Sequence, residues 1–334
     1  MRLLKIIVTV IVVLILAALL GTNLGRRAIF GPLARPLTNR TFQRTPERLA
    51  RGKYLAESVT GCTDCHSPHD WTQHDAPITP GMLGAGEPLP LPGLPGRVVA
   101  PNLTPDPDTG AGNWTDDQLA RAIREGVGHD GHTLFPMMPY PHFRQMSDED
   151  LASVIVYLRS LAPVRNPLPA TEIIFPVRYF IRVVPQPLAQ PVPEPDLSTP
   201  VKRGEYLVDQ AACSDCHTPM VKGEPIPGLD FGGGQIFEGP WGRVASANIT
   251  PDASGIIYYD DALFVDVMRT GYVKARKLAQ IMPWAVYRGM TDDDLKAIFA
   301  YLRTLKPVKH HVDNTEPPTP CRLCQASHGE GNTN

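Results

Sequence analysis

Apolar residues recur along most of this chain with a helical rather than a strand period. Leu151, Val154, Ile155 and Leu158 fall on one face of a helix, and Leu295, Ile298, Phe299 and Leu302 repeat that stripe. Each stripe follows a residue suited to cap a helix start, Ser147 or Thr291, whose side-chain oxygen can accept a free first-turn N–H. Two further helices open on Thr45-Pro46 and Thr199-Pro200, a cap followed by proline in the first turn. Thr115 and Gln118 form a capping-box pattern ahead of Leu119, Ala122 and Ile123. Alternating strand patterns are scarce, so the expected fold class is all-α.

The N-terminus departs from this period. Arg2 and Lys5 flank Leu3-Leu4, and Ile6 to Leu20 is apolar except for Thr9. A basic start followed by such a run marks export, and its length approaches the roughly 20 residues that span a bilayer. Residues 1–22 are therefore expected to be an uncleaved transmembrane anchor, with the rest of the chain outside the cytoplasm. A removed signal peptide is the alternative.

The pattern also repeats. "RGKYLAESVTGCTDCHSP" from Arg51 matches "RGEYLVDQAACSDCHTP" from Arg203, and "GRVVAPNLTPD" from Gly96 matches "GRVASANITPD" from Gly242. The segments from Met138 to Val164 and from Met282 to Val308 match in the same order. This is an internal duplication: one unit over residues 40–165, a second over 199–310, and a tail over 311–334. The connector, 166–198, is rich in proline and reads as stiff and extended. Inside it, "IIFPVRYFIRVV" is too short to span a membrane. It is expected to pack on or between the units, or else to form a patch for a partner or a membrane surface.

Charge changes this picture little. The chain of 334 residues carries 32 basic and 34 acidic side chains, so nothing points to a nucleic-acid partner. Its 36 prolines predict long irregular stretches between short helices.

Cysteine changes it more. Each unit carries one Cys-x-x-Cys-His cluster: Cys62, Cys65, His66 and Cys213, Cys216, His217. Within a helical turn the two sulfurs share a face and the histidine follows directly. That arrangement suits two thioether links to haem vinyl groups and an imidazole reaching the iron. A zinc site normally takes four protein ligands, and each cluster offers three. A thioredoxin-like pair needs a βαβ context that is missing here. Two covalently bound haem c groups are expected.

The second axial ligand decides what such iron does. In the second unit the candidates are Met220, Met268, Met282 and Met290. Met282 stands before Pro283 in a non-helical loop and has the repeat partner Met138 before Pro139, whereas Met290 and Met146 are placed to pack under their helix caps. The first unit has the rivals Met137, His129, His132 and His142. Repeat symmetry favours Met138, because His142 aligns with Val286 and nothing matches His129 or His132.

Other repeated pairs have structural readings. Gly52 with Tyr157, and Gly204 with Tyr301, suggest a close helix crossing in each unit. Arg97 and Arg243, beside Asn102 and Asn248, suit either haem propionates or loop hydrogen bonds. Trp114, matched by Tyr258, suits the haem pocket or the core. In the tail, Cys321 and Cys324 lack a following histidine and are expected as a disulfide; a metal site with His310, His311 or His328 is the alternative.

With these motifs, both units resemble the class I cytochrome c fold. The run "PNLTPDPDTGAGNWTDDQLARAIREGVGHDGHTLFPMMPYPHF", followed by "SDEDLASVIVYL", is similar to multihaem cytochrome c subunits of bacterial membrane-associated dehydrogenases. The resemblance implies His66 and Met138, and His217 and Met282, as the iron ligands. It implies a periplasmic, membrane-anchored electron carrier between an exported donor, such as a dehydrogenase, and a respiratory acceptor such as another cytochrome or a terminal oxidase. The rival is a dihaem enzyme, peroxidase-like or acting on sulfur compounds, with one open iron near His129, Asp130 and His132. The second unit has nothing equivalent to that cluster.

Overall fold

The computed structural model describes residues 2–330. Helix α1 (Arg2–Gly21) is followed by α2 (Asn23–Phe30), which Thr22 caps. The apolar side chains described along α1, among them Ile6, Ile11 and Leu14, are exposed. The side chains at positions 3, 15, 16, 18 and 19 of the expected anchor lie outside the described residues. Among the described residues, no helix is long and apolar enough to cross a membrane.

The first unit contains α3 (Pro46–Tyr54), α4 (Cys62–Cys65), α5 (Asp116–Glu125), α6 (Tyr140–Phe143) and α7 (Asp148–Leu158). After α8 (Val177–Phe180) in the connector, the second unit repeats the order as α9 (Pro200–Gln210), α10 (Cys213–His217), α11 (Asp261–Thr270), α12 (Trp284–Tyr287) and α13 (Asp292–Leu302). Caps set these starts. Thr45 accepts from Arg48 N at 3.2 Å, Ser147 from Asp150 N at 3.0 Å, and Thr291 from Asp294 N at 3.1 Å. Thr115 and Gln118 make both halves of their capping box. One difference between the copies has a direct cause. From the Arg-Gly pair to the first cysteine the first unit has one residue more, and α3 absorbs it by continuing as a π-helix over Leu55–Val59.

In each unit the first and last helices cross at a glycine. A Cβ on Gly52 would lie 1.9 Å from the Ser153 carbonyl oxygen and 2.8 Å from Tyr157 Cβ; on Gly204 it would lie 1.9 Å from the Ala297 oxygen and 2.9 Å from Tyr301 Cβ. Only a residue without a side chain allows that approach. The Asn-x-Thr-Pro-Asp loop ties each unit to the end of its last helix. Asn102 Oδ1 accepts from Thr104 N and Oγ1 at 2.9 and 2.7 Å while its amide donates to Val164 O at 2.7 Å. Asn248, Thr250 and Val308 repeat these bonds at 3.0, 2.8 and 2.7 Å.

The all-α expectation is corrected in one respect. Among the described residues six small two-stranded sheets join the loops, the longest being the hairpin Ile236–Gly239 with Gly242–Ala245. Most have two residues per strand, too few for an alternating pattern to register in sequence. The connector is also less extended than its prolines suggest. Glu172–Ile173 pairs with Gly96–Arg97, and α8 with the 3-10 turn Ile181–Val183 lies against α2. Arg182 donates to Ala28 O and Ile29 O, and Arg27 to Val183 O and Pro185 O.

The two units share a core and an interface. Leu55, Val154 and Leu158 belong to the same buried cluster as Leu207, Phe299 and Leu302. Across the boundary the contacts come in matched pairs. Asp150 takes a bidentate bond from Arg51 at 2.7 and 2.8 Å and a third from Tyr206 Oη of the second unit at 2.8 Å. Asp294 in turn accepts from Arg203 Nε and from Tyr54 Oη of the first unit. Helix α6 packs on α9, and α12 packs on the π-turn after α3. The units are thus related by a pseudo-two-fold axis.

Candidate haem-binding sites

Both Cys-x-x-Cys-His clusters lie on single helical turns that begin from a left-handed residue. Gly61 has φ 61° and Ala212 has φ 50°. This kink turns the chain so that α4 and α10 leave the preceding helix with both cysteines projecting from one turn. Cys62 is buried, Cys213 and Cys216 are half-buried, and Cys65 is exposed. Burial pushes the Cys213 and Cys216 thiols up to about 12, so they stay protonated at neutral pH.

The histidines are oriented alike. His66 Nδ1 lies 2.7 Å from Pro101 O, and His217 Nδ1 lies 2.7 Å from Ala247 O. A backbone carbonyl makes Nδ1 the protonated nitrogen and leaves Nε2 as the lone-pair donor. Burial lowers both histidine pKa values, with the carbonyl bond opposing, so the imidazoles are neutral and able to ligate. Each motif also has a hydrogen bond behind it: Gly86 N donates to His66 O, and Gly233 N to His217 O, both at 2.7 Å.

Met138 and Met282 are half-buried and occupy equivalent turns. Met138 N bonds Phe135 O at 3.1 Å while its carbonyl accepts from Tyr140 N at 2.8 Å; for Met282 the partners are Ala279 O at 3.0 Å and Trp284 N at 2.7 Å. Behind each methionine an aromatic ring lies against a glycine that has no Cβ to displace it, Tyr140 on Gly126 and Trp284 on Gly271. Tyr140 Oη is buried and has no protein partner among the described residues, which suits a pocket where a bound group supplies the acceptor. The sulfur, imidazole and thioether donors together fit haem c.

The rival ligands are placed elsewhere. Met146 and Met290 are buried in the core, and Met137 and Met220 are exposed. His142 has both ring nitrogens on carboxylates of the second unit, Asp209 and Asp215, each at 2.8 Å. Those bonds, Asp209 first, raise its pKa to about 10 and make it a cation. His129 stacks on Trp114 at 4.3 Å, and His132 folds onto Asp130 in an exposed turn. Arg97 pairs with Glu172 at 2.8 Å, and Arg243 with Glu238 at 3.2 Å and with Glu330. Asn102 and Asn248 are committed to their loops, as described above.

What sequence reasoning missed is that the second attachment turn lies on the interface between the units. Asp215, inside the second motif, is held by His142, four residues beyond Met138. From the other side, Tyr287 of α12, which packs on the π-turn after α3, donates its hydroxyl to Ala211 O at 3.2 Å, just ahead of the second attachment turn. The signal available in sequence was His142 standing where the second copy has Val286, a polar residue with no repeat partner.

Two copies of one helical unit, each with a Cys-x-x-Cys-His turn and an equivalent Met-Pro loop, define a tandem c-type haem protein. The chain matches the cytochrome c family over residues 49–162 and 201–306 and belongs to it; membership implies covalently bound haem c. It is 27% identical over 276 residues to the alcohol dehydrogenase (quinone) cytochrome c subunit of Gluconobacter oxydans, covering 78% of this chain and 55% of that one. It is 30% identical over 282 residues to the fructose dehydrogenase cytochrome subunit of Gluconobacter japonicus, covering 80% and 54%. A diheme cytochrome c-type protein of Cereibacter sphaeroides is 28% identical over 258 residues, covering 75% and 83%. The chain thus spans about half the length of the two dehydrogenase subunits.

Proposed function

We propose that this protein is a dihaem electron carrier, with one haem c on Cys62, Cys65 and His66 and another on Cys213, Cys216 and His217. Met138 and Met282 would supply the further ligand to each iron. When bound, the haem irons supply one-electron redox chemistry, with thioether ligation raising the potential. The observation that carries the reading is the pseudo-two-fold interface, at which His142 of one unit holds Asp215 in the attachment turn of the other. A carrier needs its centres near each other and rigidly held, and this interface is built from buried aspartates with matched partners. The exposed, self-paired His132 and Asp130 favour a surface turn over an acid–base site.

The donor in this reading is a dehydrogenase, supported by the two dehydrogenase cytochrome subunits among the relatives, and the acceptor is respiratory. The location proposed is the periplasmic face of the cytoplasmic membrane. The exposed apolar side chains of α1 support it, as do Phe30, Phe175 and Phe180 beside Arg178 and Arg182, a composition suited to a bilayer interface.

Low-temperature EPR of the oxidised protein, with a haem count per chain, tests the assignment. Two low-spin ferric signals of His/Met character are expected. A high-spin signal from half the haem would overturn it and restore the enzyme reading.

A further inference from the structure

The tail folds into a further, smaller site that the haem reading does not use. His310, Cys321, Cys324 and His328 come together so that one ligand atom from each lies within 4.8 Å of all the others. Cys321 and Cys324 are not bonded to each other. His310 Nε2 lies 3.3 Å from Cys321 Sγ, and His328 Nε2 lies 2.9 Å from Cys324 Sγ. The edges of a tetrahedron with Zn–S of about 2.3 Å and Zn–N of about 2.0 Å run roughly 3.3–3.8 Å, close to what these atoms already span.

The surroundings are those of ligands rather than of chance neighbours. Both imidazoles present Nε2 inward and bind a backbone carbonyl through Nδ1: His310 to Gly232 O at 2.9 Å and His328 to His311 O at 3.3 Å. This second-shell arrangement fixes the tautomer in metal-binding histidines. His310, Cys324 and His328 are buried, and the cluster sits on a small apolar floor of Leu229 and Val308. Thr319–Pro320 pairs with Ser327–His328, and Gln325, with φ 62°, turns the chain between them so that three ligands come from one knuckle. Gly234 covers the fourth side: a Cβ there would lie 2.6 Å from His310 Cε1, 3.0 Å from His328 Nε2 and 3.4 Å from Cys324 Sγ.

The internal duplication supplies a control. In the first unit Asn166 stands where His310 stands in the second, and its amide donates to Ala85 O at 2.9 Å, the counterpart of Gly232 O. The loop therefore needs only a hydrogen-bond donor at this position. An imidazole adds a second nitrogen, and that nitrogen points at the cysteines.

We propose that these four residues bind one divalent zinc-type cation in a closed, tetrahedral, structural site. Two thiolates and two neutral imidazoles balance the double positive charge, so the buried site carries no net charge, and two thiol protons leave on binding. Soft sulfur with imidazole nitrogen favours zinc over oxygen-seeking calcium or magnesium. The site fastens residues 311–330 to the Gly232-Gly233-Gly234 loop, whose middle residue donates to the carbonyl of His217. The metal thereby braces the backbone behind the second haem histidine.

The test is elemental analysis of the haem-loaded full chain made in zinc-supplemented medium, beside the variants His310→Asn and Cys324→Ser. One zinc per chain in the wild type, lost in both variants while haem content and far-UV circular dichroism hold, is expected. His310→Asn keeps the loop hydrogen bond, as Asn166 does, so it separates metal loss from misfolding. On the wild type, alkylation mapped by mass spectrometry gives an independent readout: Cys321 and Cys324 should be protected until a chelator is added. No zinc in the wild type, or a Cys321–Cys324 disulfide that resists alkylation with or without chelator, overturns the proposal.

Discussion

Replacing Gly52 or Gly204 by alanine tests the helix crossing on which each unit is built. In an isolated helix the change would stabilise by about 1 kcal/mol, since glycine costs that much backbone entropy. Here the new methyl would stand 1.9 Å from a backbone carbonyl oxygen, of Ser153 or of Ala297. Ordinary carbon–oxygen contact is roughly 3.3 Å, so the helices must part by more than about 1 Å along a closely packed seam. A backbone carbonyl cannot rotate away as a side chain can. Overpacking of this kind costs about 1–3 kcal/mol and sometimes more, and forced separation of two backbones belongs at the upper end. The net expectation is a loss of about 1–3 kcal/mol, read as a fall in Tm of about 2–5 °C for a cooperative unit of this size. Thermal unfolding of the haem-loaded protein by far-UV circular dichroism measures it. Gly93→Ala, where nothing lies within 4 Å, is the control and should stay within about 0.5 kcal/mol. A Tm for Gly52→Ala equal to or above the wild type would refute the close crossing.

Three further outcomes are expected. Met138→Ala or Met282→Ala should turn half of the haem high spin by EPR; an unchanged spectrum removes that methionine from the iron. Tyr206→Phe deletes a bond to the buried Asp150 carboxylate and should cost about 1.5–3 kcal/mol in urea unfolding with haem content unchanged. His142, raised to about 10 by Asp209 and Asp215, stabilises fully below its ordinary value of about 6.5 and loses that contribution as pH rises through about 10. Wild-type Tm should therefore fall between pH 7 and 10 more steeply than that of His142→Val, and parallel curves would count against the ion pair.

The sequence disclosed the elements whose causes are local. Ser147, Thr291 and the Thr115–Gln118 pair each act within one helical turn, and their helices begin where they mark. The glycine–tyrosine crossings were legible because duplication showed each pair twice. Pairings over long chain separations were not. Nothing local says that Tyr54 reaches Asp294 or that Asp215 meets His142, since such bonds depend on how the copies dock. The two-residue ladders were invisible for lack of length. In the tail, the Cys-x-x-Cys spacing was visible but its partners were not, because His310 lies at the end of the preceding unit and reaches the cluster only after the chain turns back.

Joining both halves of the interface on one chain has a consequence for how the molecule can vary. Two separate copies docked through this face would have to carry identical residues on both sides, and their association would depend on dilution. Here the linker keeps the halves together at any concentration, so each may change alone while the matched Asp150 and Asp294 contacts persist. His142 opposite Val286, and Asn166 opposite His310, are positions where the halves have already parted. The surroundings of the two Cys-x-x-Cys-His turns are thus free to differ in charge and rigidity, a latitude that a symmetric pair of identical chains would lack.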